Sequence, residues 1–445
     1  MRNKASVSSS TFKQFFTLFL PAKIVRRWFR LLGPGKRRPP TITSYELLMG
    51  LVFHVMAGAG TLAEHVKELT RKSITDGALS QRRTRLPWQI FETILEEVLR
   101  PRAKEKEHPE AFYHGLRLCG VDGSRLSVAN TPQFKRSMRK SATRRFKAAF
   151  AKVGVAVLVE LGVHNPIAAA IGPREESEMA LSRRLLDRLP EKSLLIADRY
   201  YGAPVLLIEF KEIFPGGGRE FLVRVKSNLK RRVLESYPDG SALVEIRAGK
   251  GKDKKTLQVR EIVGRVRRGK GSWSQVRLWT SLLDWKKHPA SELLALYAQR
   301  WEQESFYREL KVDLRSTPLV QSHTPLTAAQ EIAALIMAYA ILVEQRMKAA
   351  QVGDVPVLRI SFLKTLEAVR GLWHFLEITD GLLNERGVRL AVARTMRWIA
   401  ERALPKRRQR SCQRALRQPV SSWPRLLKNR SVQAAPEYKL ITVKL

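Results

Sequence analysis

The sequence predicts an α/β fold: an α/β core carrying a mostly β insertion, with helical regions before and after it. Three observations predict it. Between about residues 112 and 217, apolar strand-like runs are followed by amphipathic helical ones. From 218 to 285, short strand candidates are broken by glycine- and lysine-rich turns such as GKGKDKK and RRGKGS. Beyond that, ELLALYAQRWEQESFYRELK and TAAQEIAALIMAYAILVEQRMKAA hold neither proline nor glycine and consist largely of good helix formers.

Taken in order, residues 1–40 read as a basic arm ending at GPGKRRPP, with an amphipathic stretch suited to a partner or to DNA. Residues 41–110 read as a helical domain. Ser44 is placed to cap a helix through YELLMGLVFHVMAG, and helices follow at Leu62–Thr70 and Pro87–Leu99. The polar stretch SITDGALSQRRTRLP between them reads as a turn. Short helices around an arginine-bearing turn suit a helix-turn-helix with Arg82, Arg83 and Arg85 on DNA, a pattern that any small helical domain also gives.

Residues 111–217 open the α/β core. LRLCGVDGS is a strand ending in Asp122, and KVGVAVLVELG and PIAAAIGP are the next two. EESEMALSRRLLDRL is a helix, SLLIADRYYG a strand ending in Asp198, and APVLLIEFKEIF a helix. Residues 218–285 form the β insertion, with strands at Ala242–Arg247, Thr256–Val266 and Trp273–Leu283. Residues 286–350 return to helix, and 351–445 are helical, then basic and proline-punctuated.

Charge narrows the partner. Lys and Arg total 81 against 41 Asp and Glu, a formal net charge of +40 over 445 residues. That surplus repels itself unless a polyanion offsets it, and nucleic acid is the natural one; a structural binding protein of ribosomal type would share the composition. Basic runs free of acidic residues occupy 1–45, 125–159 and 402–430. Two cysteines, Cys119 and Cys412, form neither a metal knuckle nor a disulfide framework, which suits a reducing cytosol. No segment reads as membrane-spanning; the apolar run Ile332–Val343 falls short of the roughly 20 residues needed.

The chemistry concentrates in YAQRWEQESFYRELK. On a uniform α-helix, Tyr297, Arg300, Glu304 and Lys311 fall within roughly 60° of one another. Asp122 and Asp198 each end an apolar strand, where a carboxylate can bind a ligand or simply cap the next turn. Three carboxylates gathered together repel unless a cation sits among them. Oxygen-only donors select magnesium or manganese, and two such ions support phosphoryl transfer. Arg300 and Lys311 then suit phosphate oxygens.

Spaced in this way, Tyr297, Arg300, Glu304 and Lys311 match the Y-x2-R-x3-E-x6-K signature of the IS4-type DDE transposases, which the chain resembles over roughly residues 70–350. VDGS around Asp122, ADRYYG around Asp198, and RLWTSLLD and LLALYAQRW before Glu304 resemble the family as well. The resemblance implies a ribonuclease-H-like core in two parts, 111–217 and 286–350, split by the β insertion. It maps the metal triad onto Asp122, Asp198 and Glu304, and the DNA-contacting pair onto Arg300 and Lys311, with Tyr297 as the signature tyrosine. It implies excision of an element from double-stranded DNA and joining of its ends to a target. It also implies a hairpin step in which Trp273, Trp279 or Trp285 stacks on a flipped base.

After Lys311 the chain runs LRSTPLVQSHTP, with Arg315 where the family often carries a more basic segment; His323 lies in the same loop. The expected setting is the prokaryotic cytoplasm at the nucleoid, with a homodimer on paired DNA ends. Three readings stand: a transposase, an inactive or domesticated DNA-binding relative, and a nuclease without strand transfer.

Overall fold

Valine- and alanine-rich runs between residues 116 and 224 build the centre of the protein. The computed structural model describes residues 8–33, 40–138, 150–173, 176–249, 251, 254–268, 273–315, 317, 319–379, 381–405, 415–416, 425–426 and 436–441. The middle of the 125–159 basic run, the GKGS of the RRGKGS turn and most of the 402–430 run lie outside the described residues.

The strands are β1 (Phe112–Tyr113), β2 (Leu116–Ser127), β3 (Lys152–Glu160), β4 (Asn165–Gly172), β5 (Ser193–Ala197), β6 (Arg219–Arg224), β7 (Arg232–Ser236), β8 (Ala242–Ala248), β9 (Lys255–Arg268) and β10 (Ser274–Thr280). One sheet runs in the order β4-β3-β2-β5-β6-β10-β9-β8-β7, with β1 on β2 and Pro436–Ile441 on β9. β3 runs antiparallel to both β2 and β4, whereas β5 is parallel to both β2 and β6. Three antiparallel strands followed by two parallel ones give the ribonuclease-H-like core.

One expectation about the sheet is corrected. Residues 218–285 read as the insertion, but β6 within them is the fifth core strand, aligned with β5 from Ser193↔Arg219 to Ala197↔Val223. β10 pairs antiparallel with β6 and carries the same sheet onward. An open strand edge is completed by the next available strand.

The helices are α1 (Ser8–Phe19), α2 (Ala22–Leu32), α3 (Ser44–Ala57), α4 (Leu62–Thr70), α5 (Asp76–Thr84), α6 (Gln89–Val98), α7 (Pro132–Ser137), α8 (Glu178–Arg183), α9 (Pro204–Ile213), α10 (Ala290–Leu296), α11 (Trp301–Arg308), α12 (Pro325–Gly353), α13 (Phe362–Ile378) and α14 (Glu385–Glu401). Thr43, not Ser44, caps α3, in a reciprocal capping box with Glu46. SITDGALSQRRTRLP, expected as a turn, contains α5, started by the Thr75 side chain on the Ala78 N–H.

Central to the helical layer is α12, which passes as a bilayer span by length and composition while 89% of its most apolar window is buried inside this fold. It is the core helix. Residues of α1, α3, α6, α12, α13 and the α12-facing side of β3 form one continuous apolar cluster. The helices of 41–110 therefore share a core with the sheet.

The amino-terminal arm is corrected in the same way. Phe12, Phe16, Phe19 and Leu20 are buried, and the Phe12 ring meets Phe53 and Trp373 edge-on at 5.0 Å. An amphipathic face finds its apolar partner within the chain. Phe12→Ala is expected to cost about 3–5 kcal/mol in urea unfolding. An unchanged midpoint would show α1 to be detached.

Candidate active site

Contrary to expectation, Asp122 does not end its strand; β2 continues five residues beyond it, to Ser127, still paired with β3. What ends nearby is the parallel ladder to β5, whose last pair is Gly120↔Ile196. Continuing that register by two residues sets Asp122 abreast of Asp198, and adjacent strands lie about 4.8 Å apart. The two carboxylates thus stand side by side where β2 and β5 part, the edge at which α/β sheets hold ligands.

Each is oriented by one backbone donor. Gly123 N–H donates to Asp122 Oδ1 at 2.8 Å, and Tyr200 N–H donates to Asp198 Oδ1 at 2.7 Å. Burial, then the charges of Glu178 and Asp198, push the Asp122 carboxyl up to about 7, against the Gly123 N–H and Arg300. Sequence reasoning missed Glu178, the first residue of α8. Ser177 caps that helix through the Ala180 N–H, so the cap, rather than any motif in EESE, singles Glu178 out.

Helix α11 lies over β2 because Gly120 lets it. A side chain there would meet Leu161 Cδ2 at 2.6 Å and Gln303 Oε1 at 2.7 Å. Gln303 Nε2 donates to the Val157 carbonyl at 3.1 Å, and the Tyr307 hydroxyl donates to the Asp122 carbonyl at 2.7 Å. Glu304 faces outward from the same helix, exposed, and its Oε1 pairs with Arg300 Nη2 at 2.9 Å.

The helical run is not uniform. Tyr297–Arg300 is a tight 3-10 turn, α11 follows, and Glu309–Leu314 is π-helical. Tyr297, Arg300 and Glu304 still share a neighbourhood with Asp198. Burial pushes the Tyr297 phenol up to about 12, Arg300 and Arg224 oppose this, and Asp198 and Glu304 add to it. Lys311 lies two residues into the π turn and reaches β2, donating from Nζ to Ser124 Oγ at 3.1 Å. Ser124 is two residues from Asp122, on the same face of the strand. Burial, with Arg315 and Lys152 nearby, lowers the Lys311 pKa.

As folded, no three Asp, Glu, His or Cys side chains among the described residues are gathered closely enough to hold a metal ion. Arg300 engages Glu304, and the remaining carboxylates repel. The donor set still fits a hard divalent cation. It is all oxygen, and among the described residues neither Asp122 nor Asp198 takes part in an ion pair within 4.0 Å despite the +40 charge of the chain.

A buried ionic network fixes the helix from behind. His164, in the β3–β4 turn with φ 57°, bonds Glu309 Oε2 through Nδ1 at 2.9 Å and Glu302 Oε2 through Nε2 at 3.0 Å. The Tyr339 hydroxyl donates to Glu309 Oε2 at 2.6 Å, and Arg346 Nη1 lies 3.3 Å from both Glu309 oxygens. Burial opposes ionisation of Glu309, but Arg346 and His164 outweigh it and hold the carboxyl at about 2. Burial opposes the charge on His164 as well, yet Glu309 and Glu302 raise its pKa above the usual value.

Other expected DNA contacts are corrected. Arg83 is spent inside the fold, donating to Ser322 Oγ and the Thr327 carbonyl at 2.9 Å, and so ties α5 to α12. Arg82 Nη1 donates to the Ile42 carbonyl. Arg85 is exposed. Arg315 is half-buried and lines a cavity with His54 and Glu331. Trp279 is fully buried, with Nε1 donating to Glu261 Oε2 at 2.9 Å, so it cannot receive a base. Trp285 is partly exposed and stacks on Tyr237 at 6.1 Å, and Trp273 lies under Lys439 Nζ at 5.1 Å.

Strands β2 and β5 thus bring two aspartates beneath the helix that bears Glu304, just after the turn that bears Arg300, on a ribonuclease-H-like sheet. Residues 114–341, just over half of the chain, match the family described as Transposase DDE domain, and the chain belongs to the IS4-type DDE transposases. It is 24% identical over 283 residues to the transposase InsG for insertion sequence element IS4 of Escherichia coli K12, covering 63% of each chain. It is 23% identical over 160 residues to the putative transposase InsZ of the same organism, covering 36% of this chain and 52% of that one. The chain thus spans less than two thirds of these relatives. A cryo-EM structure of a piggyBac transposase synaptic complex with hairpin DNA aligns with a TM-score of 0.41 and 11% identity, over 89% of this chain and 85% of that one. At that score the likeness adds nothing to the assignment.

Stability should carry the signature of the buried network. The Glu309 contribution is full above about pH 4.5 and is lost as pH falls toward about 2, because its folded pKa is depressed. The His164 contribution is full below about pH 6.5 and is lost as pH rises through its raised folded value. At pH 6, Glu309→Gln is expected to cost about 3–5 kcal/mol in urea unfolding. That deficit should shrink toward pH 2; a deficit independent of pH contradicts the network.

Proposed function

We propose that the protein is a DNA transposase that cleaves the ends of its element and joins them to target DNA by two-metal phosphoryl transfer. The observation that carries this reading is the side-by-side pair Asp122 and Asp198, covered by the helix that presents Glu304, in a chain of this family. Asp122, Asp198 and Glu304 hold magnesium or manganese through carboxylate oxygens. The bound ions supply activation of the attacking water or 3′-hydroxyl and stabilisation of the departing oxygen.

The chain's own groups do the rest. Arg300 presents a planar fork that fits a phosphate as well as a carboxylate. DNA entering the site exchanges a phosphate for Glu304 on that fork, which frees the glutamate for the cation. Lys311, steered to Ser124 beside Asp122, offers a point charge to a neighbouring phosphate. Tyr297 stays protonated at neutral pH and donates a hydrogen bond. Arg85 adds a backbone contact, and Trp273 or Trp285, both partly exposed, stacks on a base. Two DNA ends call for a homodimer, and a prokaryotic nucleoid is the setting.

Asp122→Ala should abolish strand cleavage in magnesium or manganese while end binding persists. Binding without cleavage by the unsubstituted protein would assign it as an inactive relative. Cleavage without joined products, when a 3′-hydroxyl end and a target plasmid are supplied, would assign a nuclease.

Arg300→Ala and Lys311→Ala should each weaken end binding about tenfold or more at near-physiological salt, since a charge-assisted hydrogen bond contributes about 1.5–3 kcal/mol. Affinity should also fall steeply with salt through counterion release. A flat salt dependence, or unchanged affinity in both variants, contradicts the assigned phosphate contacts.

A further inference from the structure

Beside the aspartate pair stands an aromatic ring that the fold leaves open. Tyr200 is two residues beyond Asp198, and its N–H holds Asp198 Oδ1 at 2.7 Å. The ring therefore lies within one side-chain length of that carboxylate. It is 48% exposed, and its hydroxyl has no hydrogen-bond partner among the described residues.

The segment that carries it is firmly held. Tyr201 N–H donates to the Asp198 carbonyl at 3.2 Å. Tyr201 is buried, and its hydroxyl bonds Ser182 Oγ at 2.8 Å and donates to Glu178 Oε1 at 3.1 Å. The Tyr200 ring meets the Tyr201 ring edge-on, with centroids 5.7 Å apart and planes at 86°. A single contact of this kind braces a ring and leaves at least one face open.

The tryptophans differ on this point. Trp279 is fully buried, Trp285 stacks on Tyr237, and Lys439 covers Trp273. All three lie in or beside β10, which is two strands from β5 in the sheet. A base held on Trp273 or Trp285 is thus a different base from one that reaches Tyr200. A loop hanging from a rigid strand end is where a fold places contact residues, and tyrosine offers a large, stiff, amphipathic surface. In the proposed reaction a DNA phosphate approaches Asp198, and the base beside that phosphate is the flat apolar surface nearest to the ring. Freeing a base from the duplex costs energy, least where pairing is already weak, and an aromatic ring offsets that cost.

We propose that Tyr200 is a stacking platform for the unpaired base next to the phosphodiester that is cut. This deepens the reading of Asp122 and Asp198 as the cleavage site and rests on it. Every base has a π-face, so the contact positions the strand without reading its sequence.

The test is end binding by the full-length protein without divalent ions, so that no strand is cut, on the intact end and on ends that each lack one base around the cleavage point. Tyr200→Ala should weaken binding to the intact end about tenfold, and Tyr200→Phe should stay within about twofold of the unsubstituted protein. On the end that lacks the stacked base, Tyr200→Ala and the unsubstituted protein should bind alike, whereas elsewhere the gap between them should persist. Melting temperatures should not change, because the ring is exposed; should Tyr200→Ala melt lower, Tyr200→Leu carries the same comparison with a bulkier side chain. Unchanged affinity in Tyr200→Ala overturns the proposal. So does a gap that persists whichever base is missing, which marks a structural role. If the unsubstituted protein does not bind its ends at all, the transposase reading fails, and Tyr200 with it.

Discussion

Parallel pairing of β2 with β5 is the constraint on which the site depends. It aligns Gly120 with Ile196, and that register carries Asp122 alongside Asp198 just where the two strands separate. A slip of one residue would turn Asp122 to the opposite face of the sheet and dissolve the pair. The register is held by buried residues on both strands, Leu118 and Cys119 on β2 and Leu194, Leu195 and Ile196 on β5. The hydrophobic core therefore spaces the chemistry. Gly120 and Gly123 serve it by leaving room, the first for the helix bearing Glu304, the second for Glu178.

Charge is divided between two tasks. Some charged groups are spent internally. Arg83 ties α5 to α12, and Arg346 with His164 neutralises Glu309 behind α11. A buried ionic network of this kind is costly to break on one side, so it pins α11 against the β3–β4 turn. Arg300 holds Glu304 in the free protein, and in the proposed function it passes to a phosphate.

Much of this was legible in the sequence, and the losses have physical causes. Asp198 after SLLIA, and the trio Tyr297, Arg300 and Glu304, are local features of strand and helix, and local pattern locates them. Lys311 lies two residues into the π-helical turn from Glu309 to Leu314, and its bond to Ser124 on β2 is a contact that helical spacing alone does not carry. The turn lies where Glu309 is drawn into the buried network, a tertiary effect that no local pattern carries. β6 was misassigned because its sequence differs little from that of the insertion strands; only its pairing with β5 marks it as core. Arg83 and Trp279 resemble ligand-facing residues in sequence and are interior, for burial of a polar-tipped side chain depends on partners distant along the chain. Phe12 and Phe16 read as an amphipathic arm because their partners, Phe53, Trp373 and Tyr45, lie far away in sequence.

Convergence of Asp122, Asp198 and Glu304 on one divalent ion site is the central claim, and iron-directed cleavage of the polypeptide reads it directly. Fe2+ bound in place of magnesium, with ascorbate and peroxide, cuts the backbone close to wherever it sits. The account predicts a small set of cuts clustered near residues 122, 198 and 304 in the DNA complex, suppressed by excess Mg2+. Cuts at one of these positions without the others, or at none of them, would contradict it.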